Sequence, residues 1–192
     1  MLQYHDRFFV LTGGPGSGKT TLVEALEARG YATTEEAGRG VIREQMQGGG
    51  NGLPWLDRER FAGLMFDWEL RSYRQAERQD GPVIFDRGLP DTIGYLRLEG
   101  LEVPAWMEEE ALRLSYNGRV FIAPPWKEIF GADEERRQSW EVAVRTYETM
   151  VGTYSDLGYE LVELPCTTVE RRADFVIAAV GRALHHRKER PG

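Results

Sequence analysis

The sequence predicts an α/β fold in which a five-stranded parallel β-sheet is covered by α-helices on both faces. Short apolar runs alternate along the 192 residues with longer segments of helical periodicity, and this alternation is typical of successive β-α-β units. The third run, Val83-Ile84-Phe85, is apolar at every position, as expected of a strand in a sheet that is covered on both faces. A glycine-rich turn joins the first run to the first helical segment. We expect a single nucleotide-binding domain over residues 1–192, because no linker or internal repeat divides the chain.

The helices and strands of the first half are predicted from the glycines and capping residues that mark their ends. We predict strands near residues 8–12, 31–35 and 83–85, and helices over 20–29, 37–47 and 58–79. Gly30 fits the position that ends the first helix, and Asp57 can cap the third. Gly48-Gly49-Gly50-Asn51-Gly52 must be a loop, because each glycine would cost a helix about 1 kcal/mol. This loop is either a solvated linker or a mobile flap over a substrate.

The second half continues the alternation. We predict strands near residues 120–123 and 159–164, and helices over 90–100, 106–114, 134–157 and from 167 onward. Asp91 is expected to cap the first of these helices. Apolar residues in the third repeat at 4-3-4-3 spacing, which indicates a core-facing stripe; they are Trp140, Val144, Tyr147, Val151 and Tyr154. Thr167-Thr168-Val169-Glu170 resembles a capping box that opens the last helix.

The glycine-rich turn, Gly13-Gly14-Pro15-Gly16-Ser17-Gly18-Lys19-Thr20, fits the pattern G-x-x-x-x-G-K-[ST] of a phosphate-binding loop, or P-loop. It lies between a predicted strand and a predicted helix, which is the context that the motif requires. Glycines let the backbone turn sharply and bring several N–H groups to one phosphate. Lys19 should then reach the β- and γ-phosphates, and the Thr20 hydroxyl should bind Mg²⁺. The predicted nucleotide-binding residues are Gly13, Gly14, Pro15, Gly16, Ser17, Gly18, Lys19, Thr20 and Thr21.

Asp86 directly follows the apolar run 83–85. An acid in this place is typical of the Walker B position, where the carboxylate holds Mg²⁺ directly or through water. Arg87 beside it could grip a phosphate or a substrate oxygen. The alternative for both residues is a structural ion pair at the end of a strand. Thr20 and Asp86 are the two predicted metal ligands.

Glu35 and Glu36 end the second predicted strand, beside the expected position of the γ-phosphate. Glu36 could accept a proton from an attacking hydroxyl, although acids also favour the first turn of a helix. Arg39 lies three residues further on and can share a helix face with Glu36, so it either binds an anionic substrate or pairs with the glutamate. The predicted substrate-binding residues are Glu36, Arg39 and Arg87.

The segment of about residues 125–140 follows the fourth predicted strand and carries Lys127, Arg136 and Arg137. In small-molecule kinases this region is a lid that brings arginines onto the transferred phosphoryl group. The alternative is a charged helix start that faces solvent. The predicted catalytic residues are Lys19, Glu36, Asp86, Arg87, Arg136 and Arg137.

The charge, hydropathy and cysteine content of the chain indicate which kinds of partner and which location to expect. The formal charge is −7, which argues weakly against nucleic acid, because a nucleic-acid partner usually requires a basic face. No apolar run approaches the ~20 residues that cross a bilayer, and the first residues lack a signal-peptide pattern. Cys166 is the only cysteine, so no internal disulfide can form. These features predict a cytoplasmic protein with no membrane or nucleic-acid partner, and they leave the oligomeric state open.

The motifs resemble those of the short P-loop ATPase-like family that includes the ribosylnicotinamide kinase domain and, more broadly, those of nucleoside and nucleotide kinases. The matching pieces include Gly13–Thr20, Glu36-Ala37 and the stretch Val83-Ile84-Phe85-Asp86-Arg87-Gly88-Leu89-Pro90-Asp91. The resemblance implies a kinase-type fold with strand order 2-3-1-4-5, and it implies ATP or GTP with Mg²⁺. It also gives the P-loop lysine and threonine, the strand-end aspartate and the lid arginines their usual roles. The lid arginines are adjacent, without the spacing of many nucleotide kinases, so the acceptor stays open.

Two functions fit these observations. The first is an ATP-dependent phosphotransferase that acts on a small hydroxyl-bearing molecule such as a nucleoside or nucleotide. The second is a nucleotide-dependent switch or slow hydrolase that regulates a partner protein, since some relatives of the family bind GTP as regulators. A GTPase would normally carry an Asn-Lys-x-Asp motif, and the chain has none. The lid-like segment favours the phosphotransferase.

Overall fold

The computed structural model describes residues 4–130 and 139–188. In chain order, the strands are β1 (Phe8–Gly13), β2 (Ala32–Thr33), β3 (Val83–Asp86), β4 (Arg119–Ala123) and β5 (Glu160–Glu163). The helices are α1 (Lys19–Glu27), α2 (Ala37–Gly48), α3 (Arg58–Glu77), α4 (Leu89–Leu98), α5 (Ala105–Arg113), α6 (Lys127–Phe130), α7 (Trp140–Asp156) and α8 (Val169–Lys188).

The five strands form one parallel sheet in the order β2-β3-β1-β4-β5. This confirms the predicted α/β class and the kinase-like order 2-3-1-4-5. In the register of the sheet, Leu11 lies opposite Asp86, and Gly13 lies opposite Ala123. The carboxyl ends of the central strands therefore meet where the glycine-rich loop begins, which is the edge at which α/β sheets bind ligands.

Residues of the central strand β1 point alternately to the two faces of the sheet, and both faces are buried. Phe8 and Val10 pack into a core cluster formed with α3, α4, α5 and α7. Phe9 and Leu11 pack into a second cluster with α1 and α8. Burial on both faces explains why the central strands read as uninterrupted apolar runs. Within the described ranges, no helix is both long enough and apolar enough to cross a membrane.

Asp91 does not cap α4, so that prediction was wrong. The cap is Gly88, and Asp91 occupies the third helical position, where its carboxylate accepts a hydrogen bond from the Gly88 N–H at 3.0 Å. The chain can enter the helix one turn earlier because Pro90 suits a first-turn position, where its missing N–H costs nothing. Asp91 is thereby turned into the protein interior.

The predicted core stripe on α7 was also misplaced. Of its residues, Tyr154 is buried, whereas the others are only partly covered; the other buried positions are Ala143, Thr146, Met150 and Thr153. The reason is the close approach of α7 to α4, since a Cβ added at Gly94 would lie 2.6 Å from Met150 Sδ. Such a contact requires small side chains, so the spacing of bulky residues did not identify the buried face. The predicted start of this helix, residues 134–138, lies outside the described residues.

Candidate functional site

The glycine-rich loop connects the end of β1 to the start of α1. Gly13 has φ +135° and Gly16 has φ +73°, values that side chains other than glycine rarely adopt. A Cβ at Gly13 would overlap the backbone oxygen of Ala123. The Ser17 hydroxyl donates to the Gly14 carbonyl at 2.8 Å and fixes the turn. Gly18 is the N-cap of α1 and offers no side-chain cap, so the first amides of that helix remain available to an anion.

Lys19 lies inside this loop. Its ammonium donates to the carbonyls of Gly13, at 3.1 Å, and Gly14, at 2.9 Å. Burial, and next the charge of Arg87, lower the pKa of Lys19 to about 7. A phosphate in the loop would stabilise the charged form, so the geometry and the charge of Lys19 are both suited to an anionic ligand.

Asp86 at the end of β3 is a buried carboxylate with one unsatisfied oxygen. Its backbone N–H donates to Thr34 Oγ1 at 3.2 Å, but Oδ1 has no hydrogen-bond partner. Burial raises the pKa of Asp86 to about 6. A buried oxygen without a donor is suited to a cation, and Mg²⁺ usually takes one or two protein oxygens together with substrate phosphates.

Thr20 completes the predicted metal site from the first turn of α1. Its hydroxyl oxygen accepts a hydrogen bond from Arg39 at 3.2 Å, and a hydroxyl oxygen has a second lone pair for a metal ion. Asp86 and Thr20 therefore fit Mg²⁺ held jointly with a nucleotide. Across residues 4–130 and 139–188, no group of three or more His, Cys, Asp or Glu residues could hold a metal by itself.

Arg87 joins two carboxylates that come from different elements. Its Nε donates to Glu36 Oε1 at 2.9 Å, and its guanidinium NH1 donates to Asp91 Oδ1 at 3.0 Å. Its φ of +74° is unusual for a residue other than glycine. Burial would raise the pKa of Glu36, but the charges of Arg87 and Lys19 outweigh it and lower the pKa to about 2. Glu36 is therefore an ionised carboxylate beside the P-loop.

Asp91 organises this cluster, a role that its sequence position did not suggest. Besides Arg87 and the Gly88 N–H, it accepts hydrogen bonds from the hydroxyls of Thr12, at 2.5 Å, and Tyr154, at 2.6 Å. These donors lie on β1 and α7. Thr12 and Tyr154 are both distant from Asp91 in sequence, so no local pattern could have revealed these two contacts.

Glu69 is a second acid that sequence reasoning missed. It lies on α3 with 1% of its surface exposed, and its Oε2 has no hydrogen-bond partner. Burial, and then the charges of Asp91 and Asp86, raise the pKa of Glu69 well above its usual value. A signal was present, because Glu69 continues the buried stripe of α3 at 4-3-4-3 spacing; the stripe is Ala62, Phe66, Glu69, Tyr73 and Ala76.

The remaining predicted residues lie at the exposed edge of this cluster or outside it. Glu35 turns outward and forms an exposed ion pair with Arg43 at 2.6 Å. Arg39 pairs with Glu36 at 3.1 Å and is itself exposed. Lys127 lies over the ring of Trp140, 5.4 Å from its centroid. Pro15 is partly exposed and Thr21 is exposed. Arg136 and Arg137, with the rest of residues 131–138 of the predicted lid, lie outside the described residues.

The parallel sheet of order 2-3-1-4-5, the P-loop between β1 and α1, and the acid at the end of β3 together define a P-loop NTPase of the kinase-like type. A family model described as an AAA domain matches residues 8–172. The chain therefore belongs to this family, in agreement with the ATPase-like resemblance of its motifs. No curated protein matches the sequence.

Solved structures of kinase-like proteins share the fold. The deoxyadenosine kinase from M. mycoides with its products dCMP and a flexible dCDP aligns with a TM-score of 0.60 and 15% identity, over 91% of this chain and 99% of that one. The same enzyme with bound dATP gives a TM-score of 0.55 and 13% identity over the same shares. The NadR protein in complex with NR gives a TM-score of 0.63 and 19% identity, over 92% of this chain and 50% of that one. At these identities the likeness establishes the fold.

Proposed function

We propose that this protein is a Mg²⁺-dependent phosphotransferase that transfers the γ-phosphoryl group of ATP to a hydroxyl of a small acceptor, such as a nucleoside or nucleotide. The observation that carries the proposal is the position of Glu36. An ionised carboxylate, oriented by Arg87, is held beside the P-loop lysine, where a simple nucleotide-binding switch needs no such group. Structural neighbours whose ligands are dCMP, dCDP and NR support an acceptor of the nucleoside type.

The P-loop would hold the donor. The backbone amides at the start of α1 and the ammonium of Lys19 bind and orient the phosphates. The ammonium of Lys19 can exchange the carbonyl oxygens of Gly13 and Gly14 for phosphate oxygens, because carbonyl and phosphate oxygens both accept hydrogen bonds. Mg²⁺ held by Thr20 and Asp86 would neutralise charge on the phosphates.

Glu36 and Arg87 would hold the acceptor. The acceptor oxygen attacks the γ-phosphorus, the bond to the β–γ bridging oxygen breaks, and the hydroxyl proton passes to Glu36 while ADP leaves. A pKa of about 2 makes Glu36 a weak base. That suffices for phosphoryl transfer, whose loose transition state requires orientation of the nucleophile more than early proton removal. Arg87 keeps the carboxylate ionised and directed.

The test is an acceptor screen with purified protein, Mg²⁺ and either ATP or GTP, in which release of the nucleoside diphosphate is followed. The acceptors are nucleosides, ribosylnicotinamide and nucleoside monophosphates. Release that depends on one class of acceptor would support the transferase. Hydrolysis at the same rate with and without every acceptor would reject it in favour of the switch or slow hydrolase.

Variants refine the test once an acceptor is found. Lys19→Ala should lower kcat by at least about a hundredfold while the fold is retained, since it removes a charge that acts on the transferred group. Glu36→Gln should lower kcat by about 10² to 10⁴ and leave the Kd for ATP unchanged. Glu35→Gln is the matched control, because this neighbouring carboxylate faces solvent and pairs with Arg43. Equal turnover in Glu36→Gln and Glu35→Gln would refute the role of Glu36.

A further inference from the structure

Arg172 on α8 is a buried cation that contacts the P-loop from outside. Only 3% of its surface is exposed. One guanidinium nitrogen donates to the backbone oxygen of Ser17 at 2.9 Å. The guanidinium carbon lies 5.9 Å from the centroid of the Trp126 ring, and Nε is buried without a hydrogen-bond partner. Arg172 thus connects the last helix to Ser17, the residue that precedes the N-cap of α1.

The positive charge of Arg172 has no carboxylate partner among the described residues. Burial lowers the pKa of this arginine, but a guanidinium keeps its proton at neutral pH. A buried charge without a counter-charge is costly to a folded protein. Its retention here is explained if an anion in the neighbouring loop supplies the missing charge.

The hydrogen bond to Ser17 also determines how the loop amides point. A trans peptide directs its C=O and its N–H to opposite sides. Because Arg172 holds the Ser17 oxygen on the α8 side, the N–H of Gly18 points away from α8. A Cβ at Gly18 would lie 2.8 Å from the Arg172 guanidinium, so the arginine lies directly behind this peptide. The Ser17–Gly18 peptide is thereby fixed with its donor directed to the other side of the loop.

We propose that Arg172 is a positioning residue for the phosphates of the nucleotide. It orients the Ser17–Gly18 peptide so that the Gly18 N–H is presented to a phosphate, and it adds positive charge behind the loop. The inference rests on the proposed function, since it concerns the same nucleotide site. It adds a residue from α8 that no P-loop motif contains.

The test compares Arg172→Met, Arg172→Gln and Arg172→Lys with the control Arg171→Met, which removes an exposed arginine from the adjacent position of the same helix. The Kd values for ADP and for inorganic pyrophosphate are measured by calorimetry at one ionic strength. Arg172→Met should weaken both by about ten- to a hundredfold, as expected for a lost charge-assisted hydrogen bond. Arg172→Lys, which keeps a charge and a donor, should recover most of the affinity. Arg171→Met should bind both probes as the wild type does.

Kinetic measurements and folding controls distinguish a role of Arg172 in positioning the phosphates from a role in packing alone. Once an acceptor is known, Arg172→Gln should raise the KM for ATP clearly and Arg172→Lys only slightly, and both should leave the KM for the acceptor unchanged. If Arg172→Met does not fold, the test is the comparison of Arg172→Gln with Arg172→Lys. The uncharged glutamine variant should bind pyrophosphate more weakly than the lysine variant.

Two results would overturn the inference. One is wild-type affinity in both Arg172→Met and Arg172→Gln; the other is an Arg172→Lys variant that folds but binds as poorly as Arg172→Met. A wild-type protein that binds neither ADP nor pyrophosphate would instead overturn the proposed function. The two failures can be told apart, because in the first case the wild type does not bind the probes, whereas in the second the wild type and the Arg172 variants bind them equally well.

Discussion

Replacing Arg87 by methionine should destabilise the protein through the carboxylate of Glu36. The two side chains form a largely buried ion pair at 2.9 Å, with 16% of the Arg87 side chain and 20% of the Glu36 side chain exposed. Removing one partner of such a pair leaves the other charge uncompensated. Asp91 is less affected, because it keeps the hydrogen bonds from the Thr12 and Tyr154 hydroxyls and from the Gly88 amide.

The size of the effect follows from the pKa of Glu36. The pKa is lowered from 4.5 to about 2, and each unit corresponds to ~1.4 kcal/mol. The ionised carboxylate therefore contributes about 3 kcal/mol to the free energy of unfolding at neutral pH. Arg87 is the largest favourable charge in this balance. We expect Arg87→Met to lose about 3 kcal/mol or slightly more, within the range for broken buried pairs.

The change of this stability difference with pH can also be predicted. A lowered carboxyl pKa stabilises the fold fully above the unfolded value of 4.5, and this contribution is lost as the pH falls towards about 2. Without Arg87, burial dominates and the pKa of Glu36 rises. The difference in the free energy of unfolding between wild type and Arg87→Met should therefore be largest at neutral pH and should shrink as the pH falls through about 4.5.

Urea unfolding of wild type, Arg87→Met, Glu36→Gln and the double variant measures these quantities. The double variant should recover part of the stability lost in Arg87→Met, because no uncompensated charge remains. Arg43→Met is the control, since it breaks an exposed pair with Glu35 and should leave the unfolding midpoint almost unchanged. An Arg87→Met variant as stable as wild type at neutral pH would refute the reasoning. So would a difference that grows on acidification.

Three further predictions concern buried groups of the same region. The pKa of Asp86 is raised from 3.8 to about 6, so this carboxyl costs stability as the pH rises between these two values, and the cost is complete above about pH 6. Asp86→Asn should therefore stabilise the free protein at neutral pH, yet weaken Mg²⁺-nucleotide binding in calorimetry; tighter binding would contradict the assigned role. Gly13→Ala should reduce stability several-fold more than the control Gly30→Ala, which costs about 1 kcal/mol. The reason is that a Cβ at Gly13 overlaps Ala123, whereas Gly30 faces open space. Equal shifts of the melting temperature in the two variants would argue against this packing. Glu69→Gln should become more stable than wild type as the pH rises above the unfolded value of 4.5, because the raised pKa of Glu69 costs the wild type stability from there upward. Identical pH profiles of wild type and variant would show that the pKa of Glu69 is not raised.

The central strands could be predicted because their burial leaves a direct trace in sequence. β1, β3 and β4 are covered on both faces and carry almost no polar residue before their carboxyl ends. The edge strand β2 has only two residues, fewer than predicted, because it pairs on one side only. Neither of its residues is fully buried. An edge strand therefore has a weaker pattern, and its limits depend on its neighbour β3.

The candidate site was predictable only where its residues lie close together in the chain or end a strand. The P-loop is one continuous segment, Asp86 is the last residue of β3, and Glu36 lies three residues after the end of β2. Asp91 and Arg172 act through contacts across 79 and 155 positions with Thr12 and Ser17. Single-sequence patterns do not encode such contacts. Glu69 is different, since its place on a buried helical stripe could have marked it as a buried acid.

The buried charges of the site divide into compensated and uncompensated groups. Glu36 and Asp91 share Arg87, which forms an ion pair with each carboxylate. Lys19 and Asp86 lack such partners, and burial moves their pKa values to about 7 and about 6. These are the two groups that a nucleotide and its metal ion would contact. An anion would favour the protonated form of Lys19, and a cation would favour the ionised form of Asp86, so ligand binding would offset the desolvation cost at both groups. At these two positions the proposed ligands would thus supply the opposite charge that the free protein lacks.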